Sequence, residues 1–273
     1  MYTIFIATDF SKAAENATKY AIGIAKKMQA NLVLFNACGS DKAEQKVHER
    51  AINAECKRIT AETHLNCMGI VSSDKGSDEI LNAAKKNKAS IIILGITDAS
   101  RLKKGLLGSM IQKLIKTAKM PILAIPENAE SNAITKLIVA TGPTLPDTGL
   151  LEKLANLASI FNAQIQIVHV STPKDNAISS LTKTEELIKA SGYKNISAIT
   201  LNGNDVAKEL EDHVKSQKAS MLIIVRKNLS FLHNILSGIA GKMTFISQVP
   251  LMVLNEEVYS IGSLGIKEEE LLG

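Results

Sequence analysis

Aromatic residues are scarce in this chain. Its 273 residues include no Trp, six Phe and four Tyr, 4% of the whole. Surfaces that bind nucleic acid by stacking bases draw on more aromatics than this, so nucleic acid is not an expected partner. Cysteine is rare too. Cys38, Cys56 and Cys67 are an odd number at wide spacing; they suggest no disulfide framework, and no pair has the short spacing of a zinc knuckle. His48, His64, His169, His213 and His233 are scattered, and no structural metal is expected. No apolar run approaches the ~20 residues that span a bilayer, so a membrane is not expected either. The opening "MYTIFIATDF" has no basic segment and places Asp9 early. It reads as a first strand, not a signal peptide, and a cytoplasmic protein is the expectation.

Hydrophobic residues at 45% and charged residues at 22% suit an ordinary soluble globular protein. The net charge of +5 is uneven: residues 1–130 hold 19 of the 32 Lys and Arg and 13 of the 27 acids, a net of +6, and the remainder has a net of −1. The first half is therefore the better candidate for an anionic ligand.

The chain repeats itself. "TIFIATDF" at 3–10 resembles "KLIVATGP" at 136–143, and "QANLVLFNA" at 29–37 resembles "NAQIQIVHV" at 162–170, both at an offset of 133. "SIIILG" at 90–95 and "MPILAIP" at 120–126 return in the same order as "SMLIIVR" at 220–226 and "VPLMVLN" at 249–255. A period of one domain's length means a duplicated domain rather than a solenoid. The expected division is a first domain at 1–126, a polar linker at 127–135, a second domain at 136–255 and a tail at 256–273.

Within the first repeat, short apolar runs alternate with helical spacing. "TIFIAT", "NLVLFNA", "CMGIVSS", "SIIILG" and "ILAI" read as strands. Between them fall an apolar stripe from Ala13 to Met28, a polar amphipathic stretch at 43–64, a segment opening at Ser77, and one opening at Gly108-Ser109 and stopped by Pro121. Alternating β and α elements with buried strands predict an α/β fold: two tandem doubly wound five-stranded parallel-sheet domains, strand order 3-2-1-4-5. The last strands, "ILAI" at 122–125 and "LMVL" at 251–254, are apolar enough to pair and cover each other's open edge. The two repeats are therefore expected to pack as an internal pseudo-dimer.

In such a sheet ligands bind beyond the strand ends, where the strand order reverses, here between strands one and four. Those ends are "ATDFS" at 7–11 and "LGITD" at 94–98. Asp9 can accept hydrogen bonds from a ligand or cap the following helix, work that Ser11 can share. Gly95 lets the backbone leave the strand close to a ligand. Gly108-Ser109 starts a helix whose free N–H groups favour an anion, and Arg101, Lys103 and Lys104 make the intervening loop positive.

Here the chain resembles the universal stress protein family in a tandem arrangement. "ATDFS" is similar to that family's first-strand signature. Gly95, Asp98, Gly108 and Ser109 follow its nucleotide motif G-x2-G-x9-G-(S/T), with Asp98 in place of the second glycine. The resemblance implies non-enzymatic binding of ATP where the motif is whole. It implies Asp9 on the nucleoside, the Ala37 backbone at the adenine, and Leu94, Gly95, Gly108, Ser109 and Met110 around ribose and phosphates. Asp98 adds a Cβ and a negative charge beside those phosphates, so ATP or AMP is expected to bind weakly, with Mg²⁺ able to help. In the second repeat Gly142 replaces the aspartate, Arg226 takes the place of Gly95, and the connection from strand four to Pro250 reads as two residues shorter; no ATP is expected there, though Arg226 and Lys227 leave room for another anion.

The leading expectation is a non-enzymatic stress-response protein whose first domain holds an adenine nucleotide or other small anion. The alternative is an interaction scaffold that binds no nucleotide. An enzyme is not expected: "ATDFSKAAEN" has no glycine fingerprint after strand one, neither repeat opens with a pyrophosphatase-type "SGG" loop, and no Ser-His-Asp set stands out. Val258, Tyr259 and Ile261 in the tail leave room for docking on a sheet edge or for a homodimer, with protein partners unknown.

Overall fold

The computed structural model describes residues 2–97, 109–130, 133–142, 148–171, 192–226 and 248–255. The first repeat supplies strands β1 (Thr3–Ala7), β2 (Asn31–Ala37), β3 (Cys67–Ser72), β4 (Ile91–Ile96) and β5 (Ile122–Pro126). Its helices are α1 (Lys12–Met28), α2 (Lys42–Thr63), α3 (Ser77–Lys86) and α4 (Ser109–Thr117). The second repeat supplies β6 (Lys136–Thr141), β7 (Gln164–Ser171), β8 (Ile196–Asn202), β9 (Met221–Arg226) and β10 (Leu251–Asn255), with α5 (Thr148–Phe161) and α6 (Val206–Ser216).

Among the described residues the strands form one ten-stranded sheet, in the order β3-β2-β1-β4-β5-β10-β9-β6-β7-β8. Each half has the order 3-2-1-4-5. The offset read from the sequence is carried by the hydrogen-bond register: Thr3 faces Asn31 in the first half and Lys136 faces Gln164 in the second. Every pairing within a half is parallel, while β5 and β10 pair antiparallel, with Leu123 opposite Met252. These two residues are equivalent in the two repeats, so an approximate two-fold axis passes between them. Pairing the last strands satisfies backbone groups that each half alone would leave on an open edge.

Strand alternation sends side chains to two cores. Ile4, Ile6, Leu32 and Leu34 meet α1 and α2 on one face, together with Leu150, Leu154 and Ala158 of α5. Phe5, Val33, Ile92 and Leu94 meet α3 and α4 on the other, the face that also holds Leu210 and Val214 of α6. Equivalent helices thus share a face across the two-fold.

Helix α1 forms where alanines recur at helical spacing: Ala13, Ala17, Ala21 and Ala25 are all buried. Small residues let it lie close to the sheet. Ser11 caps its start, its hydroxyl accepting from Ala14 N at 3.3 Å, and Gln29 closes it in the left-handed region. Ser11→Ala removes this cap, and thermal unfolding is expected to show a loss of about 1 kcal/mol. Helix α2 starts at Asp41, whose Oδ1 accepts from Ala43 N at 2.7 Å and Glu44 N at 3.0 Å; those bonds hold its carboxyl below the usual carboxylate range. Only Ile52, Cys56 and Ile59 of α2 are buried, a thin apolar stripe for a helix of 22 residues.

The polar stretch after β5 is less free than its composition suggests. Asn16 of α1 donates through Nδ2 to Pro126 O at 2.8 Å and Ala129 O at 2.9 Å, and the Tyr20 hydroxyl donates to Glu130 O. Burial, with Glu130 adjoining, pushes the Tyr20 phenol up to about 12. Ala129 and Ile134 are buried. No helix among the described residues is long and apolar enough to cross a membrane.

Candidate functional site

The site is built at the carboxyl ends of β1, β2 and β4. Ala7 pairs with Leu94 and with Phe35, so β1 lies between β2 and β4 at the point where strand order reverses. The chain leaves β1 through a tight turn whose side chains hold its own backbone. Thr8 Oγ1 accepts from Phe10 N at 3.1 Å, and Asp9 Oδ1 accepts from Ser11 N at 3.0 Å. Phe10 sits at φ 59°, in the left-handed region that bulky side chains rarely adopt. Its ring meets His48 edge-on, with centroids 5.6 Å apart.

The same turn is tied to β2. Asn36 is buried and donates through Nδ2 to Thr8 O at 2.8 Å, while its Oδ1 lies 2.7 Å from His48 Nδ1. Thr8, Phe10, Asn36 and His48 therefore lock β1, β2 and α2 together, and Asp9 stands exposed on that frame. The capping role left open for Asp9 falls to Ser11, and Asp9 braces the turn with one oxygen.

Ala37 ends β2, paired with Ser72. Just beyond it Gly39 takes φ +99°, and the space a Cβ would fill is occupied by the end of the Lys75 side chain, with Cε at 2.7 Å. Lys75 is an exposed cation beside the strand end that the family resemblance gives to the adenine. Lys75, Gly39 and Asn36 do not stand out in the sequence, and His48 does so only as one of five scattered histidines. Gly39 alone carries a faint local signal, as a glycine just after a strand end; the others come together through tertiary packing.

The structure gives Gly95 a role in packing. A Cβ there would lie 2.3 Å from both the carbonyl carbon and the oxygen of Ala13, and 2.6 Å from Ala14 N. The missing side chain thus lets the start of α1 press onto β4, beside the crevice. Leu94 points its side chain into the opposite core and is buried. Helix α4 opens at Ser109, and Met110 is 44% exposed, a large apolar side chain on its first turn. Asp98, Gly108, Arg101, Lys103, Lys104 and the side chain of Ser109 lie outside the described residues, as do Lys227 and the tail at 256–273.

The second repeat builds the corresponding turn differently. His169 stands where Asn36 stands; it is buried, and its Nδ1 is 3.4 Å from Thr141 O, the counterpart of Thr8 O. The register also corrects two sequence alignments. Ile4 faces Ile91 and Leu137 faces Met221, so Val225 is the residue in the place of Gly95, and Arg226 follows it. Ile92 faces Ile122 and Leu222 faces Leu251, so the β9–β10 connection is one residue shorter than its counterpart, not two. The sequence comparison slipped because "SIIILG" and "SMLIIVR" align equally well with one residue inserted. Val225 is buried in the same core as Leu150 and Leu154 of α5.

The fold and crevice are those of a duplicated, doubly wound α/β protein. Residues 1–126 match the universal stress protein family. A universal stress protein of Methanocaldococcus jannaschii is 29% identical over 136 residues, covering 45% of this chain and 80% of that protein. The first repeat is thus similar to universal stress protein domains, and the second repeats its fold. Among solved structures, a universal stress protein from Archaeoglobus fulgidus DSM 4304 superposes with a TM-score of 0.72 at 18% identity, covering 93% of this chain and 98% of that one. A functionally unknown protein from Pseudomonas aeruginosa PAO1 superposes with a TM-score of 0.64 at 15% identity, covering 95% of each. Both share the fold along nearly the whole chain, second repeat included.

Proposed function

We propose that this chain is a non-enzymatic, cytoplasmic stress-response protein with a degenerate adenine-nucleotide or anion site in its first domain, 1–126. The second domain, 136–255, serves as its structural partner and holds no ATP. The observation that carries this reading is the meeting of β1 and β4 at the strand-order reversal, Ala7 opposite Leu94. The exposed Asp9 follows Ala7 by two residues, at the end of the sheet where this architecture takes ligands.

Several features support it. Asp9 keeps a carboxylate oxygen for a ribose, and Ala37 offers the end of β2 to a base. Met110 presents an apolar surface, and Lys75 adds a positive charge. Helix α4 opens at Ser109, so the free N–H groups of its first turn suit a phosphate. Asn36 and His48 are engaged with each other and with the Thr8 backbone, which leaves them as frame rather than as a base and nucleophile.

Asp98, in place of the motif's second glycine, favours the second reading, a scaffold that binds no nucleotide. Native mass spectrometry of freshly purified protein separates the two. AMP or ATP at partial occupancy, rising when Mg²⁺ is supplied with the nucleotide, is the expected result. Absence of any adenine nucleotide or phosphate adduct, even after incubation with millimolar nucleotide and Mg²⁺, selects the scaffold.

A further inference from the structure

Two cysteines that the sequence keeps eleven positions apart are neighbours in the fold. Cys56 lies on the buried face of α2, one turn from Ile52 and from Ile59. Cys67 opens β3, opposite Leu32. Their sulfur atoms are 3.0 Å apart, within about 1 Å of a disulfide bond length. Both are free thiols. Cys38 is remote from them: it follows the Ala37–Ser72 pair at the far end of the same two strands, about 17 Å along the sheet.

Accessibility divides the pair. Cys56 is buried, and Cys67 is partly exposed. Cys67 lines a surface pocket with Thr60, Asn66 and Asn31, so a small oxidant reaches its sulfur while Cys56 waits behind it. The contact adds to the packing of α2 on β3, where a Cβ on Gly69 would lie 2.9 Å from the Ile52 side chain. Helix α2 buries only Ile52 and Ile59 besides Cys56, and it carries His48 to the turn that supports Asp9.

We propose that Cys56 and Cys67 form a reversible intramolecular disulfide under a peroxide oxidant, clamping α2 to β3. The Cys67 sulfur takes one oxygen from hydrogen peroxide as the O–O bond breaks, and one water leaves, giving the sulfenic acid. The Cys56 sulfur then attacks Cys67: the S–S bond forms, the S–O bond breaks, and the hydroxyl leaves as a second water with the Cys56 proton. The two thiols are oxidised together by two electrons, and one peroxide is reduced to two waters. A dithiol reductant reverses the step. In a reducing compartment such a bond is transient and responds to oxidant level.

The test uses the full chain treated with hydrogen peroxide, then alkylated and digested with trypsin without reduction. Lys57, Arg58 and Lys75 are cleavage sites, so Cys56 and Cys67 fall in the separate peptides 51–57 and 59–75. The expected result is a mass loss of two hydrogens, one joined species containing those two peptides, an alkylated Cys38, and recovery of both peptides after dithiothreitol. Closing this short loop is expected to raise the melting temperature by about 5–10 °C, a rise absent from Cys56→Ser, in which dimedone traps a Cys67 sulfenic acid instead. A bond through Cys38, a bond between two chains, irreversible oxidation of Cys67 without linkage, or a linked protein with unchanged melting temperature would each overturn the proposal. The peptide map of the unsubstituted chain decides the linkage even where Cys56→Ser fails to fold.

Discussion

Replacing Gly95 with alanine is expected to destabilise the protein by about 3 kcal/mol, the upper end of what overpacking costs, and to lower its melting temperature by roughly 6–12 °C. The added methyl would sit 2.3 Å from the Ala13 carbonyl group and 2.6 Å from the Ala14 amide. Those atoms belong to the first turn of α1 and cannot swing aside as a side chain would. The helix start must retreat, and Ser11, which caps it, moves as well. Gly23 supplies the control within the same helix. It is exposed, and a Cβ there meets nothing within 4 Å, so Gly23→Ala is expected to stabilise by about 0.5–1 kcal/mol, the difference in helix propensity. Calorimetry of both variants is the check. A Gly95→Ala protein as stable as the parent would mean that α1 rides further from β4 than this packing has it.

This contrast shows what was legible in the sequence. The strand order and the pairing of the two last strands followed from apolar runs, helical spacing and the repeat offset, all of which are local signals. The cause of Gly95 was not local. Its sequence context suggests a ligand approaching the strand end, whereas the space beside it is taken by a helix some eighty residues earlier in the chain. The roles of Asn36 and His48 are hidden for the same reason. One lies in an apolar strand and the other on a polar helix, and only their contacts with each other and with the Thr8–Phe10 turn give them a purpose. Cys56 and Cys67 are a third case. Their spacing fits no recognised motif, yet a helix ending in the left-handed residue His64 turns the chain back and brings them together. The slip of Arg226 for Val225 arose because apolar strands align in more than one register, and hydrogen bonds are needed to choose.

Asp98→Gly is expected to strengthen ATP binding by about 1–4 kcal/mol, or from several-fold to several hundred-fold. Three parts of the proposed site do not depend on it: the braced Asp9 turn, the Ala37 strand end and the opening of α4 at Ser109. What the family motif asks of position 98 is a residue with no Cβ and no charge. An aspartate adds both beside a polyphosphate. A full negative charge about 4 Å from a phosphate oxygen costs about 1 kcal/mol in water and about 4 kcal/mol at an effective dielectric of 20. The penalty grows with phosphate charge, so AMP should respond to Asp98→Gly less than ATP does. A divalent cation bridging the carboxylate and the phosphates offsets the repulsion, so Mg²⁺ should improve ATP binding more in the unsubstituted protein than in the glycine variant. Asp98→Asn separates the two effects: it keeps the Cβ, removes the charge, and should recover most of the gain if repulsion dominates. Titration calorimetry of the three proteins with ATP and AMP, with and without Mg²⁺, measures each difference. Tight metal-free ATP binding by the unsubstituted chain, unchanged by either substitution, would place the phosphates away from position 98 and sink the degenerate-site reading.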